Sequence, residues 1–142
     1  MVDAFRALLV LHFLGLAMGL SAGFGNLVIA GLMAKATPDE RRALKKFSPA
    51  IARVRDIGLV ILWLTGLTLV FAKWDGFGNM PGLFHAKLTV VVLMTLTIGF
   101  AHSLAKKVAA DDPAAIVKAQ LVGKAIFFLA VTAVALAVWA FN

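Results

Sequence analysis

The stretch HFLGLAMGLSAGFGNLVIAG, residues 12–31, decides the fold of this chain. Apart from His12, Ser21 and Asn26, its residues are apolar or glycine, and roughly 20 such residues suffice for a helix to cross a bilayer. The whole chain is 62% hydrophobic and only 15% charged. A soluble domain of this length could not bury so much apolar surface. The composition therefore predicts an integral membrane protein.

The same stretch carries a ridge of glycines, Gly15, Gly19 and Gly23, at intervals of four residues. On a helix these positions share one face, where missing side chains permit close approach of another helix or of a flat ligand. His12 lies on that face too, because it precedes Gly19 by almost two helical turns. Two interpretations of His12 stay open at this point. It is either a histidine bonded to a neighbouring helix or a ligand of a bound group. The ridge serves either helix packing, including packing against a second copy, or clearance for that group.

Four apolar segments predict a single all-α domain over residues 1–142, with spans at about 4–34, 49–72, 83–108 and 114–140. Short connections favour an antiparallel four-helix bundle. After the first span, Thr37 reads as an N-cap and Pro38 as the first helical residue. The basic residues that follow predict a short interfacial helix between spans 1 and 2, ending near Ser48 and Pro49. Similarly, Asp111, Asp112 and Pro113 predict the start of the fourth helix.

Positive charges gather on one side of the predicted spans and give the net charge of +7. The links between spans 1 and 2 and between spans 3 and 4, with the helix ends beside them, hold Lys35, Arg41, Arg42, Lys45, Lys46, Arg53, Arg55, Lys106, Lys107, Lys118 and Lys124. The other side holds Arg6, Lys73 and Lys87. The positive-inside rule then places both termini outside, in the periplasm, for a multi-pass protein of the inner (plasma) membrane. Charges clustered in this way are typical of residues that set membrane orientation rather than of a nucleic-acid-binding surface. The predicted partner is therefore the lipid bilayer.

The chain has no cysteine, which excludes disulfides, thiolate metal sites and covalently attached haem. Two histidines, His12 and His85, are predicted in the outer half of the membrane. They are candidate metal ligands, which would hold haem b without a covalent bond. An interfacial position near lipid head groups is the alternative for His85. His102 lies roughly 25 Å further along the same helix, too far to share an iron with His85, and an interfacial position is favoured for it. Thr89 could orient a ring nitrogen, and Lys87 either reaches the interface or pairs with a haem propionate.

The stretch GLFHAKL, residues 82–88, resembles the helix-three motif of the HemJ-type membrane protoporphyrinogen oxidases, which is close to Trp-Leu-His-x-Lys-Leu. The glycine-bearing His12 helix, the basic segment behind it and the four-span length are similar to that family as well. The resemblance implies a small helical bundle with histidine-held haem b that oxidises a tetrapyrrole in the membrane. It also implies that His12 and His85 are haem-associated, with Lys87 beside the second histidine.

These observations lead to two functional hypotheses of different classes. The first is a b-type haem membrane protein for electron transfer or for oxidation of a membrane-soluble substrate, a porphyrinogen or a quinol, which would make it a membrane oxidoreductase. A haem accepts and passes on single electrons, so the absence of a mid-membrane carboxylate agrees with it. The alternative is a non-catalytic accessory or assembly subunit, whose glycine ridge packs against a larger membrane complex or a second copy.

Overall fold

A computed structural model of the chain describes residues 2–140, with side chains for residues 3–139. The predicted ends of the domain, Met1 and Phe141–Asn142, lie outside the described residues. The described chain forms four long helices, α1 (Val2–Lys35), α2 (Pro38–Trp74), α3 (Gly82–Ala109) and α4 (Pro113–Ala140), and one short 3₁₀ turn at Phe77–Asn79. Each of the four helices is long and apolar enough to cross a membrane. The protein is therefore all-helical and has the character of a multi-pass membrane protein.

Helix α2 corrects the prediction of a separate basic helix ending near Ser48 and Pro49. Its start is as expected, because the Thr37 hydroxyl accepts from the Glu40 backbone N–H while the Glu40 carboxylate accepts from the Thr37 N–H at 2.7 Å. The helix then continues through Pro49 into the apolar segment without a break. Proline at this position removes one hydrogen bond, that to the Lys45 carbonyl. The residues before it are strong helix formers, and the capping box holds their first turn, so the helix continues despite that loss.

The connection between α3 and α4 is the short stretch 110–112, whose middle residue, Asp111, has a positive φ of 60°. The next residue, Asp112, caps α4 as predicted, since its carboxylate accepts from the backbone N–H groups of Ala114 and Ala115. The Asp111 carboxylate also forms an ion pair with Lys45 of α2. This ion pair joins the basic beginning of α2 to the link between α3 and α4.

The helices pack in the order α2–α1–α4–α3, and each neighbouring pair in that order shares close backbone contacts. Contacts between α1 and α2 run in opposite chain order, because His12 meets Thr65 whereas Gly25 lies against Ile51. Among the described residues, α2 and α3 show no comparable backbone packing. The helices thus surround a central space whose least closely packed side lies between α2 and α3. We call that side the α2–α3 seam.

The buried apolar cluster lies where α3 and α4 meet, at Met94, Ile98, Ile126 and Ala130. Leu20 of α1 and Leu59 of α2 pack against it, so all four helices contribute. Many other large apolar side chains are exposed on the outside, among them Leu96, Phe128 and Trp139 at about two-thirds exposure. Such a surface suits contact with lipid tails rather than with water.

Candidate functional site

A central crevice runs along the inside of the four helices and has a volume of about 130 Å³. Its walls are mostly apolar. The polar, charged or glycine residues that line it are His12, Gly19, Arg55, Gly66, Lys73 and Lys87, and the tryptophans are Trp63 and Trp74. No aspartate or glutamate is among the described residues that line it. The crevice is therefore an apolar space with cationic groups and one imidazole.

Side chains rather than backbones bridge the α2–α3 seam beside the crevice. The bridges occur at three levels. At one end the rings of Trp74 and Phe84 lie 4.3 Å apart between centroids, and in the middle the indole N–H of Trp63 donates to the Thr95 hydroxyl at 3.0 Å. At the other end the His102 imidazole lies 3.0 Å from the Asp56 carboxylate. Each is a contact between side chains, whereas the pairs α1 with α2 and α3 with α4 also pack backbone against backbone. The seam is thus the least closely packed side of the crevice.

His12 is buried and its hydrogen bonds define its tautomer. Its Nδ1 lies 2.8 Å from the Thr65 hydroxyl oxygen, and that hydroxyl donates its only hydrogen to the Ile61 carbonyl at 2.6 Å. The Thr65 oxygen can then only accept from His12, so Nδ1 carries the ring proton. Nε2 is left with a lone pair that faces Lys87 Nζ at 3.4 Å. A histidine that donates from one nitrogen and presents the other is the usual arrangement of a metal-ligating or proton-accepting imidazole.

The structure does not bring His85 to His12, which changes the predicted pair of ligands. His85 is exposed, and it precedes Lys87 by two residues, so the two side chains point about 200° apart around α3. Because Lys87 faces His12, His85 faces away from it. Thr89 is exposed too, and its hydroxyl donates to the His85 backbone carbonyl rather than to a ring nitrogen. Of the predicted site residues on α3, only Lys87 reaches the crevice.

The three glycines of the ridge have three different surroundings. A Cβ at Gly15 would lie 2.9 Å from the Gly58 carbonyl oxygen of α2, and a Cβ at Gly23 would lie 3.1 Å from the Phe127 ring of α4. Gly19 has nothing within 4 Å of such an atom and lines the crevice. The ridge therefore packs against two helices of its own chain and leaves clearance between them. Helix packing within the chain is thus shown at Gly15 and Gly23, and clearance for a bound group at Gly19 stays a prediction.

The other end of the crevice holds an ion-pair cluster on α2 and α3. Arg55 is buried, with 8% of its surface exposed, and donates from Nε and Nη2 to the Asp56 carboxylate at 3.1 and 3.0 Å. His102 contacts the same carboxylate through its Nε2 and remains exposed. Arg55 thus has an acidic partner within the chain, whereas Arg53 is exposed.

Sequence reasoning missed Thr65, the residue that orients His12. A usable signal was present, since short connections place spans 1 and 2 side by side in opposite directions. Near the level of His12, the apolar body of the second span offers two residues with a hydroxyl, Thr65 and Thr68. It missed Trp63 as well, for which the sequence held no comparable signal.

Comparison of the chain with protein-family models, curated proteins and solved structures gives no match. The site must therefore be interpreted from its own chemistry.

Replacing Thr65 with valine is expected to lower the free energy of unfolding by about 1 kcal/mol. The reason is that the buried Nδ1–H of His12 loses its acceptor while the shape of the side chain is nearly kept. Detergent-induced unfolding followed by circular dichroism would measure the change. Thr65→Ser, which keeps the hydroxyl, is the matched control and should be close to the native protein. Equal stability of the valine and serine variants would contradict the assigned hydrogen bond.

Proposed function

We propose that this protein binds haem b non-covalently in the central crevice, where Nε2 of His12 would hold the iron. The observation that carries the proposal is the hydrogen-bond chain from His12 Nδ1 through Thr65 to Ile61, which leaves the Nε2 lone pair to Lys87 Nζ at 3.4 Å, a contact that the iron would replace. When bound, the haem would supply one-electron transfer. The proposed task is electron transfer or the oxidation of a membrane-soluble substrate, a porphyrinogen or a quinol.

Two features of the crevice support haem binding. A histidine nitrogen is available as a ligand for iron, and the crevice is bordered by a loosely packed side at the α2–α3 seam. Gly66 lets the His12 ring lie against α2, since a Cβ there would be 3.4 Å from His12 Cε1, and Gly19, about two turns further along α1, leaves the crevice wall open. The crevice volume of about 130 Å³ is near that of an engineered cavity of ~150 Å³ that admits benzene. A tetrapyrrole is several times larger, so its binding requires α2 and α3 to separate. We propose that they separate along the seam, where the described contacts are between side chains.

The proposal differs from the two-histidine interpretation in its ligand set. His85 faces away from the crevice, so His12 is the one histidine offered to the iron, and Lys87 is the nearest polar group to its Nε2. The role of His12 here is to bind and to hold its own ring in one orientation through Thr65. The apolar walls exclude water from the space beside it.

For the membrane arrangement we propose an antiparallel four-helix bundle in the inner membrane, with both termini and the Trp74–Phe84 end of the crevice outside. The support is the distribution of basic residues, which crowd the beginning of α2 and the link between α3 and α4. In this arrangement the basic beginning of α2 lies at the inner surface of the membrane. An ion pair from Lys45 to Asp111 joins the two inner links.

The alternative of an accessory subunit that docks through the glycine ridge is less well supported. Gly15 and Gly23 already pack against α2 and α4 of the same chain. Because these two glycines are covered by helices of their own chain, they are not accessible to a larger complex or to a second copy.

A visible spectrum of the detergent-purified protein tests the haem proposal. Expression in cells supplied with a haem precursor should give a Soret band, with sharper α and β bands after reduction. Pyridine extraction of the released haem should give a stoichiometry near one per chain. A folded but colourless protein that takes up no added haemin would overturn the proposal.

A further inference from the structure

Lys87 is a half-buried ammonium without an acidic partner. Among the described residues no carboxylate forms an ion pair with it, and its polar neighbour is the His12 imidazole, with Nε2 3.4 Å from Nζ. A cation at this depth of a membrane protein is costly, so such residues usually pair or line a functional pathway. The imidazole is a hydrogen-bond acceptor only through one lone pair and brings no negative charge. Two of the three ammonium hydrogens thus remain for another acceptor.

The surroundings of Lys87 favour an anion over a neutral acceptor. Lys73 also lines the crevice, with its ammonium 4.9 Å from the centre of the Trp74 ring, whereas none of the described residues that line it is acidic. The nearest acid at the other end, Asp56, already accepts two hydrogen bonds from Arg55. In an apolar space the field of the Lys87 ammonium is weakly screened, so a single negative charge next to it would be strongly stabilised.

The rest of the crevice is apolar and long. Thr65, level with Lys87 and His12, is ten residues from Arg55, which corresponds to roughly 15 Å along α2. Leu20, Leu59, Met94 and Ile98 occupy this length. A ligand that fills it has an apolar body and one acidic end.

We propose that the crevice binds the carboxylate of an apolar, membrane-dissolved acid, with Lys87 as the partner of that carboxylate. The inference concerns the site of the proposed function and rests on that crevice, but it does not require iron. Two sources offer the same chemistry, a propionate of a tetrapyrrole and the head group of a fatty acid. The Trp63–Thr95 bridge across the seam lies beside the apolar part of the crevice, so a ligand entering from the lipid would pass it.

Tryptophan fluorescence of the full-length protein in non-ionic detergent tests the proposal, because Trp63 and Trp74 line the crevice while Trp139 is exposed on the outside. In a Trp139→Phe background, nitroxide-labelled stearic acid at near-neutral pH is compared with its methyl ester. Protoporphyrin and its dimethyl ester form the second pair. We expect at least one acid to quench at a concentration about tenfold below that of its ester, the gain of a charge-assisted hydrogen bond.

Variants of Lys87 assign the effect to this residue. Lys87→Gln should remove the acid–ester difference, whereas Lys87→Arg should keep it, since the positive charge remains. Lys106→Gln, an exposed change on the same helix, is the matched control and should behave as the native protein. A difference in the stearate pair identifies a fatty acid, and a difference confined to the porphyrin pair identifies a propionate.

Two results would overturn the inference, namely equal quenching by acid and ester in both pairs, or an acid–ester difference that survives Lys87→Gln in a variant with native circular dichroism. The haem proposal fails separately. A protein that takes up no haemin but discriminates acid from ester would discard the iron and keep the carboxylate site. A protein that binds haem but does not discriminate acid from ester would keep the haem proposal and discard the carboxylate site.

Discussion

Replacing His12 with alanine is expected to abolish the Soret band of the purified protein. The substitution removes the one imidazole whose Nε2 faces the crevice, and no other histidine among the described residues lines that space. Folding should survive, because Thr65 keeps its own hydrogen bond to Ile61 and the helix contacts at Gly15 and Gly58 are untouched. Absorption spectra and haem content per chain, measured on protein with native circular dichroism, provide the test.

Exogenous imidazole makes this test sharper. The space left by the His12 side chain in His12→Ala lies next to Thr65, so added imidazole could occupy it and donate a nitrogen lone pair to the iron. We expect imidazole to restore a Soret band in His12→Ala and to have little effect on the native protein.

The matched control is His85→Ala, which should keep the band, since His85 is exposed and faces away from Lys87 and the crevice. Loss of the band in His85→Ala with retention in His12→Ala would contradict the ligand assignment. It would then favour an arrangement in which α3 is rotated.

The helices themselves could be predicted where local chemistry marks their ends. Thr37 with Glu40, and Asp112 with Pro113, are capping signals that act within one turn and hold in the structure. The boundary expected at Pro49 was wrong for a physical reason. A proline removes one hydrogen bond inside a helix, and whether that ends the helix depends on how stable the flanking turns are. The basic segment before Pro49 forms a helix stable enough to continue past the proline.

Distance along a helix could be predicted from the sequence, whereas the rotation of a helix about its axis could not. The level of His12 follows from its distance along the first helix. Which side of α3 faces inward does not follow, because core and lipid are both apolar and no polar face distinguishes them. A rotation of α3 by about 200° would turn His85 toward the crevice in place of Lys87. The sequence resemblance favoured His85 at that position. Contacts between helices decide that rotation, and a single sequence does not reveal them.

Replacing Gly58 with alanine is expected to lower the free energy of unfolding by about 1–3 kcal/mol, the range for overpacking a tight contact. An added Cβ would lie 2.8 Å from the Gly15 carbonyl oxygen, 2.9 Å from the Met18 Cβ and 3.2 Å from the Gly19 nitrogen. Two of these are backbone atoms, so relief requires α1 and α2 to move apart. Intrinsic helix propensity acts in the opposite direction, since alanine is a better helix former than glycine. A loss of stability therefore isolates the helix contact.

The controls are glycines of the same protein without neighbours at the Cβ position. Gly99→Ala and Gly123→Ala meet nothing within 4 Å, so their unfolding curves in detergent should match the native curve or shift slightly toward higher stability. A Gly58→Ala variant as stable as these two would show that α1 and α2 are not in close contact there.

The same contact connects packing to the site, because Gly58 lies about two turns from Thr65 and Gly15 about one turn from His12. Separation of α1 and α2 at Gly58 should lengthen the His12–Thr65 hydrogen bond and weaken haem retention along with stability. Gly19→Leu separates the two effects. A leucine there points into the crevice, where nothing lies within 4 Å of its Cβ, so it should fill the ligand space while leaving the helix contact intact. We therefore expect Gly58→Ala to reduce both stability and haem content, and Gly19→Leu to reduce haem content alone.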